Sequence, residues 1–385
     1  MKIIHVAPNS PYEEGWSYQE NLLPKYQSKL GHQVILLVST QRHTDPIKPD
    51  RSSEDYQSPN GFRVIRKPIT FFPIPFLHRA LRYLKAYDIF CLEKPDVIFH
   101  HGLVSPTIRQ AVRYKKEVNP DCVIIQDNHM DYNIGFTPDC LKGRILKHIY
   151  SRLYRSVDPY IDKVYGVTPW RKQYAQNIFG VSEEKTDVLI MGADDEQLDF
   201  EHRDTLRTEH RQKYGIRDDD FLIVTGGKID AKKKIHLLMD AVKGLSNVKL
   251  LICGSATPDF AEEFKAHFNS NVIDAGWISS EQFYGYFFAA DLAFFPGQHS
   301  VLWEQACASK VPCVFGKWDG MDHVDNGGNA RFLTCETPEQ IRKLIEELHF
   351  TPDYQQMLSA ARSAKTDIYL YSRIAEKSLE CTKQK

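Results

Sequence analysis

The sequence predicts an α/β protein of two domains, each built on a mainly parallel sheet. Short apolar runs recur along the chain and alternate with longer helical patterns. The runs are continuous and rich in β-branched residues, as in strands buried on both faces of a βαβ sheet. At 385 residues the chain exceeds one ordinary core, and two domains of about 190 residues each are the natural expectation.

In the first half the runs are KIIHVA, QVILLV, FRVI, DVIFHH, CVIIQ, KVYGVT and DVLIM. Residues 17–30, SYQENLLPKYQSKL, fit a helix that ends before Gly31, with Pro24 expected to kink or break it. A charged stretch at 194–220, DDEQLDFEHRDTLRTEHRQKYGIRDDD, suggests the boundary, so domains are expected at 1–196 and 197–365. The second half repeats the rhythm with FLIVTGG, VKLLICG, NVIDAG, LAFFP and PCVFG. No short-period repeat or low-complexity segment is visible.

Hydrophobic residues make up 42% and charged residues 26%, the composition of a soluble globular protein. Lys plus Arg is 49 against 50 for Asp plus Glu, a net charge of −1 that argues against a general nucleic-acid partner. The eight cysteines form no CxxC pair, so neither a zinc ribbon nor a thioredoxin-like site is suggested. Several sit in CVII, LLICG and PCVFG, where a reduced thiol acts as a small core residue. The opening MKIIHVAPNS has too short an apolar run for a secretory signal, and no stretch reaches the roughly 20 apolar residues of a membrane span. A reducing, cytoplasmic setting is expected. A dinucleotide-binding dehydrogenase would need G-x-G-x-x-G after the first strand, but NSPYEEGW follows it here, with a single glycine.

The most informative stretch runs from 221 to 304. FLIVTGGKIDAKKKIHLLMDAV contains a strand, a Gly-Gly turn, a basic loop and an amphipathic helix. Lys228 lies just past the strand's carboxyl end and Lys233 near the helix start. Open parallel sheets bind ligands at strand carboxyl ends, and a helix N-terminus favours anions. Alternatively, Lys232, Lys233 and Lys234 are a solvated charge run. Further on, DLAFFPGQHSVLWEQACASKVPCVFG places the loop PGQHS before a helix bearing Glu304. A carboxylate there can accept two ribose hydroxyls, although alone it would more often be a helix-surface residue or a first-turn charge favoured by the dipole.

Taken together, these segments resemble the retaining, family-four type glycosyltransferases of the two-domain GT-B fold. GGKIDAKKKIHLLMDAV is similar to that family's GRLxxxKG segment, with Lys228 at the Arg position and Lys233 at the Lys position. LLICGS, NVIDAGWISSEQFYGYFFAADLAFFP and Glu304 with QACASKVPCV match its later blocks. KIIHVAP…EEGWSYQENLLPKYQSKLGHQVILLV, PDVIFHH and CVIIQDNH match its first half, so the resemblance covers nearly the whole chain. It implies two Rossmann-like domains facing across a cleft, with a C-terminal helix over 366–385 packing back toward the first. It implies a nucleotide-diphosphate sugar as donor, held by Gly15, Gly227, Gly254, Trp277, Ile278, Gly297, Gln298, His299, Ser300, Val301 and Glu304. Lys228, Lys233 and His129 carry catalysis in that reading, with His129 approaching the donor sugar and His101 and Trp16 on the acceptor side. No cofactor and no metal are implied. Residue type alone would also permit a metal at His100, His101 and His129.

Four positions depart from the family. Pro296 stands where a first glutamate usually meets the donor sugar, which leaves the donor open. Lys228 keeps the charge of Arg but loses its planar fork. Lys234 replaces a common Gly, and Met191 a common Asn.

Between Cys140 and Val157 there is no acidic residue, while Lys142, Arg144, Lys147, Arg152 and Arg155 alternate with apolar side chains. Such a basic amphipathic helix suits an anionic membrane surface, as does the aromatic and basic segment 71–87. Both fit equally well as helices packed on the sheet with solvated basic faces. On the membrane reading the protein is peripheral on the inner face, and its acceptor is a glycan or lipid-linked species of bacterial-type polysaccharide, lipopolysaccharide or glycolipid assembly. Two other functions suit the same fold: a nucleotide-sugar 2-epimerase, and a non-catalytic nucleotide-sugar-binding partner.

Overall fold

The computed structural model describes residues 1–42, 52–74, 77, 80–132 and 140–384. The chain divides into two compact units, Met1–Ile190 with Ile374–Lys385, and Met191–Arg373. The change of unit at 190/191 comes just before the charged stretch.

Unit 1 is an eight-stranded sheet of β1 (Lys2–Ala7), β2 (Gln33–Ser39), β3 (Glu54–Gln57), β4 (Arg63–Lys67), β5 (Val97–His100), β6 (Val123–Asn128), β7 (Lys163–Gly166) and β8 (Thr186–Val188). Its order is β3-β4-β2-β1-β5-β6-β7-β8. Every pair is parallel except β3 with β4. The apolar runs sit inside as their composition requires: β5 and β6 are buried throughout, and β1 and β2 at all but their first residues. β3 was not anticipated, because EDYQ is a polar edge segment whose pairing depends on the neighbouring β4.

Unit 2 is a six-stranded, wholly parallel sheet of β9 (Phe221–Ile229), β10 (Val248–Ala256), β11 (Val272–Gly276), β12 (Leu292–Phe295), β13 (Cys313–Gly316) and β14 (Ala330–Leu333). Its order is β11-β10-β9-β12-β13-β14. The short β14 is partly exposed beyond Ala330, which weakens its apolar signature. In both sheets the order reverses beside the first strand, between β1 and β5 and between β9 and β12. A crevice for ligands opens at such a switch point, outside the carboxyl ends of the strands.

The helix Gln19–Lys29 runs through Pro24 without the expected break. A proline there removes one backbone donor only, the one that would have met the Glu20 carbonyl. Gly31 then ends the element with φ +85°. The basic stretch does form a helix, Leu141–Val157, which buries Tyr150, Leu153, Tyr154 and Val157 and leaves Leu141 73% and Ile145 42% exposed. In the segment 71–87, His78 and Arg79 lie outside the described residues, and the described residues up to Ala86 contain no α-helix; the helix Tyr87–Glu93 follows. No helix among the described residues is long and apolar enough to cross a membrane.

The chain's end lies with unit 1. Gln27 Nε2 donates to Ser378 Oγ (2.9 Å), the Tyr165 hydroxyl donates to the Lys377 carbonyl (3.2 Å), and Lys377 Nζ lies 3.8 Å from Asp187.

In unit 2, Gly254 pairs with Gly227 across β9 and β10. A Cβ on Gly254 would lie 2.0 Å from the Gly227 carbonyl oxygen, so this glycine is required by close backbone approach. Gly254→Ala is expected to destabilise the protein by roughly 1–3 kcal/mol through overpacking. A thermal melt checks it, and an unchanged Tm would contradict this register.

Candidate functional site

The loops after β9 and β12 meet at the switch point of unit 2. Asp230 caps the short 3-10 turn Ala231–Lys233 through its side chain, and that turn carries Lys233 toward the second loop. Lys233 Nζ donates to the carbonyls of Gln298 (2.8 Å) and His299 (3.2 Å). Partial burial pushes its ammonium down to about 8. Gly297 lets the loops touch, since a Cβ on it would lie 2.3 Å from the Lys232 carbonyl oxygen. The Gln298 amide donates to that same carbonyl (3.3 Å), so it is engaged within the protein. Trp318 Nε1 closes the turn on the Gly297 carbonyl (3.1 Å).

Lys234, at the common-Gly position, has φ +54°. A left-handed residue there explains the usual glycine, and the Lys234 side chain is held by the Cys335 carbonyl (2.8 Å). Lys228 is exposed near the end of β9 and makes no hydrogen bond or ion pair among the described residues. The two lysines therefore differ, one fixed in the turn and one facing solvent.

Glu304 is fully buried, one turn into the helix Leu302–Ala308. Its Oε1 accepts from His299 Nε2 (2.8 Å) and His323 Nε2 (2.9 Å), while Oε2 is buried with no partner. The two histidines outweigh the cost of burial and hold the carboxyl down to about 2. Histidines thus occupy one oxygen of the carboxylate, which its helix position did not suggest, and leave the other without a donor. His323 was missed in the sequence: it follows β13 in a loop that matches no motif noted there. Pro296 is buried beside Gly316, whose Cβ would lie 2.5 Å from the Pro296 carbonyl oxygen. Trp277 is 73% exposed just past β11, Ile278 beside it is partly buried, and Ser300 and Val301 are partly buried ahead of Glu304.

In unit 1 the carboxyl ends of β1, β5 and β6 gather a second polar cluster. His101 is buried, with Nδ1 2.6 Å from Asp127 Oδ2 and Nε2 3.1 Å from His5 Nδ1. Both of its nitrogens are engaged inside the protein, which corrects its expected place in contact with an acceptor. His129 is 37% exposed on its side chain, but its Nε2 is buried 3.4 Å from Asp127 Oδ2 and makes no hydrogen bond. His100 is a buried structural histidine whose Nδ1 meets the Gly102 carbonyl (2.9 Å). Gly15 is exposed with φ +78°, and the Trp16 ring meets Tyr18 edge-on. His5, Gln27 and Asp127 were not singled out in the sequence, although Asp127 lies within CVIIQDNH.

Among the described residues, two trios hold their potential metal-ligand atoms within 4.8 Å: His101, Asp127 and His129, and His299, Glu304 and His323. In the second trio a carboxylate can only accept, so both Nε2 atoms carry protons and present no lone pair in this arrangement.

The family Glycosyltransferase Family 4 matches residues 22–197, and Glycosyl transferases group 1 matches residues 207–364. The chain belongs with the group 1, family-four-like glycosyltransferases. An uncharacterized glycosyltransferase of Methanocaldococcus jannaschii is 22% identical over 346 residues, 86% of each chain. A solved glycosyltransferase of Rickettsia africae has a TM-score of 0.73 at 15% identity, covering 100% of this chain and 98% of that one. Anabaena HepE in complex with UDP and glucose has a TM-score of 0.66 at 16% identity, with 100% of both chains covered. Both likenesses establish the two-domain, Rossmann-like GT-B architecture.

Burial sets the acid limit of this fold. Burial is the largest factor lowering His5 to about 3 and His100 to about 4, and it also lowers His32 and His236; His101 is raised by Asp127 against the burial that would lower it. A lowered histidine stays neutral in the fold while the unfolded chain takes up a proton below 6.5, so its stabilisation is lost as pH falls. A raised histidine such as His101 acts oppositely, while the buried carboxylates of Asp127 and Glu304, both held low, add to the loss as pH falls. Tm is expected to fall steadily from pH 6.5 to 4.5, and a flat or rising Tm would contradict these placements.

Proposed function

We propose that this glycosyltransferase moves a sugar, with retention of configuration, from a nucleoside-diphosphate sugar held on unit 2 to a hydroxyl acceptor. The observation that carries the reading is Lys233, fixed by two carbonyls in the turn ahead of a buried, ionised Glu304. The complex of the similar Anabaena protein with UDP and glucose supports a nucleotide-sugar donor.

Lys233 and the exposed Lys228 take the diphosphate, with the Ser300 and Val301 amides beside them. Cleavage of the glycosidic bond adds negative charge to the departing diphosphate. Cations placed beforehand stabilise that charge as it grows, contributing on the order of 3 kcal/mol per donor. Glu304 Oε2, which lacks a donor, receives a ribose hydroxyl. Trp277 offers its exposed face to the base, and His129 meets a sugar hydroxyl. The acceptor hydroxyl attacks from the leaving-group side and its proton goes to the departing phosphate, so no protein base is assigned. The lysines supply the charge that a metal supplies elsewhere, and activity is expected to survive chelation.

For the acceptor we assign a lipid-linked or anionic amphiphilic species at the inner membrane face, in polysaccharide or glycolipid assembly. A cavity of about 430 Å³ in unit 1, walled by Phe72, Leu81, Tyr83, Ile149 and Leu153, supports this. Arg109, His148 and Arg152 also line it, and among the described residues they make no ion pair.

Lys233→Ala is expected to lower kcat/KM about 100-fold while still folding, with a lower Tm because the two bonds to the Gln298 and His299 carbonyls are lost; near-wild-type turnover would remove Lys233 from this role. Donor affinity should weaken as pH rises through about 8, where Lys233 loses its proton. A pH-independent affinity would contradict the assignment. Labelled donor incubated without acceptor separates the alternatives. Slow hydrolysis supports a transferase, 2-epimer an isomerase, and binding without turnover the non-catalytic partner that Pro296 keeps in view.

A further inference from the structure

The hydrogen bonds behind His129 fix the position of one proton. Ser378 Oγ lies 2.7 Å from the Ala375 carbonyl, so its hydroxyl donates there and its oxygen accepts from Gln27 Nε2 at 2.9 Å. That contact orients the Gln27 amide, an assignment made from hydrogen-bond partners. Gln27 Oε1 then faces His5 Nε2 at 2.7 Å. A carbonyl oxygen only accepts, so His5 Nε2 carries a hydrogen. His5 is fully buried and stacked on Phe99, a setting that favours its neutral form and leaves a lone pair on Nδ1. His5 Nδ1 faces His101 Nε2 at 3.1 Å, so the shared proton belongs to His101. His101 Nδ1 faces Asp127 Oδ2 at 2.6 Å, and a carboxylate also only accepts. His101 therefore bears a proton on each nitrogen.

Two other placements of that proton are disfavoured. On His5 the charge would sit next to Gln27 and away from the carboxylate. On Asp127 it would neutralise an oxygen pair that already accepts the Gly102 amide at 2.8 Å and attracts His129. The surroundings agree: Asp127 and Glu20 raise His101 against its burial, while burial lowers His5 and His100 on the same strand ends.

We propose that Gln27 and Ser378 are positioning residues that keep His101 as a buried imidazolium paired with an ionised Asp127. The ion pair locks the Asp127 carboxylate, whose Oδ2 faces His129 at the rim. The helix Tyr371–Ser378 thereby determines a protonation state at the carboxyl edge of the sheet, across a sequence separation of 351 residues between Gln27 and Ser378. With both nitrogens protonated, His101 is a poor metal ligand. The consequence for sugar transfer rests on the role given above to His129; the protonation state does not.

The test needs no substrate. In protein with ¹⁵N-labelled histidine, long-range ¹H–¹⁵N spectra report each ring's protonation. Wild type at pH 8 is expected to show His101, assigned by its loss in His101→Gln, with both nitrogens protonated, and His5 as the Nε2–H tautomer. Ser378→Ala frees the Gln27 amide to turn over, and His101 is expected to titrate at least about one pH unit lower, the tenfold loss of one charge-assisted constraint. Ser378→Thr, which keeps the hydroxyl, should restore the wild-type spectrum. A neutral His101 at pH 7.5 in wild type, or identical titrations in wild type and Ser378→Ala, would overturn the proposal. If Ser378→Ala does not fold, the wild-type spectrum alone decides.

Discussion

The arrangement of unit 2 depends on one ammonium group holding two loops together. Lys233 Nζ bonds the carbonyls of Gln298 and His299, which joins the loop after β9 to the loop after β12. Those bonds set the turn ahead of Glu304, and His299 in that turn donates to the Glu304 carboxylate. Partial burial strengthens each contact, since charges interact more strongly away from water. It also lowers the lysine's proton affinity, so the group is poised to gain from an arriving anion. A bound diphosphate would favour the charged form that burial disfavours.

Both units solve the same problem at the carboxyl ends of their strands. A carboxylate is buried there and remains ionised because histidines donate to it: His101 to Asp127 in unit 1, His299 and His323 to Glu304 in unit 2. Removing a histidine from either site would leave a buried charge short of a donor, a cost larger than the value of the bond itself. Rigidity at the strand ends follows from this, and it presents His129 in one unit and the 297–301 turn in the other.

The strands were legible because parallel β-sheets buried on both faces require continuous apolar runs, and β1, β2, β5, β6, β9 and β10 supply them. β3 and β14 were not, since edge segments such as EDYQ and ARFL depend on a neighbour for their pairing. Lys233 and Glu304 were singled out by their resemblance to the family's blocks, since spacing alone placed them near strand ends and helix starts but equally allowed surface charges. The covering of Glu304 by His323 could not, as that contact joins segments separated by another strand. The same holds for Gln27 with Ser378, brought together only by the return of the chain's end to unit 1. His101 illustrates a subtler limit: its place at a strand end was evident, but whether it faced a ligand or a buried aspartate depended on side-chain packing.

Calorimetric titration of a nucleoside against its diphosphate at pH 7, over increasing salt, tests the anion site most directly. The diphosphate is expected to bind at least about tenfold more tightly at low salt, and the advantage should shrink as salt screens Lys228 and Lys233. Equal affinity for nucleoside and diphosphate at every salt concentration would contradict a phosphate site on unit 2.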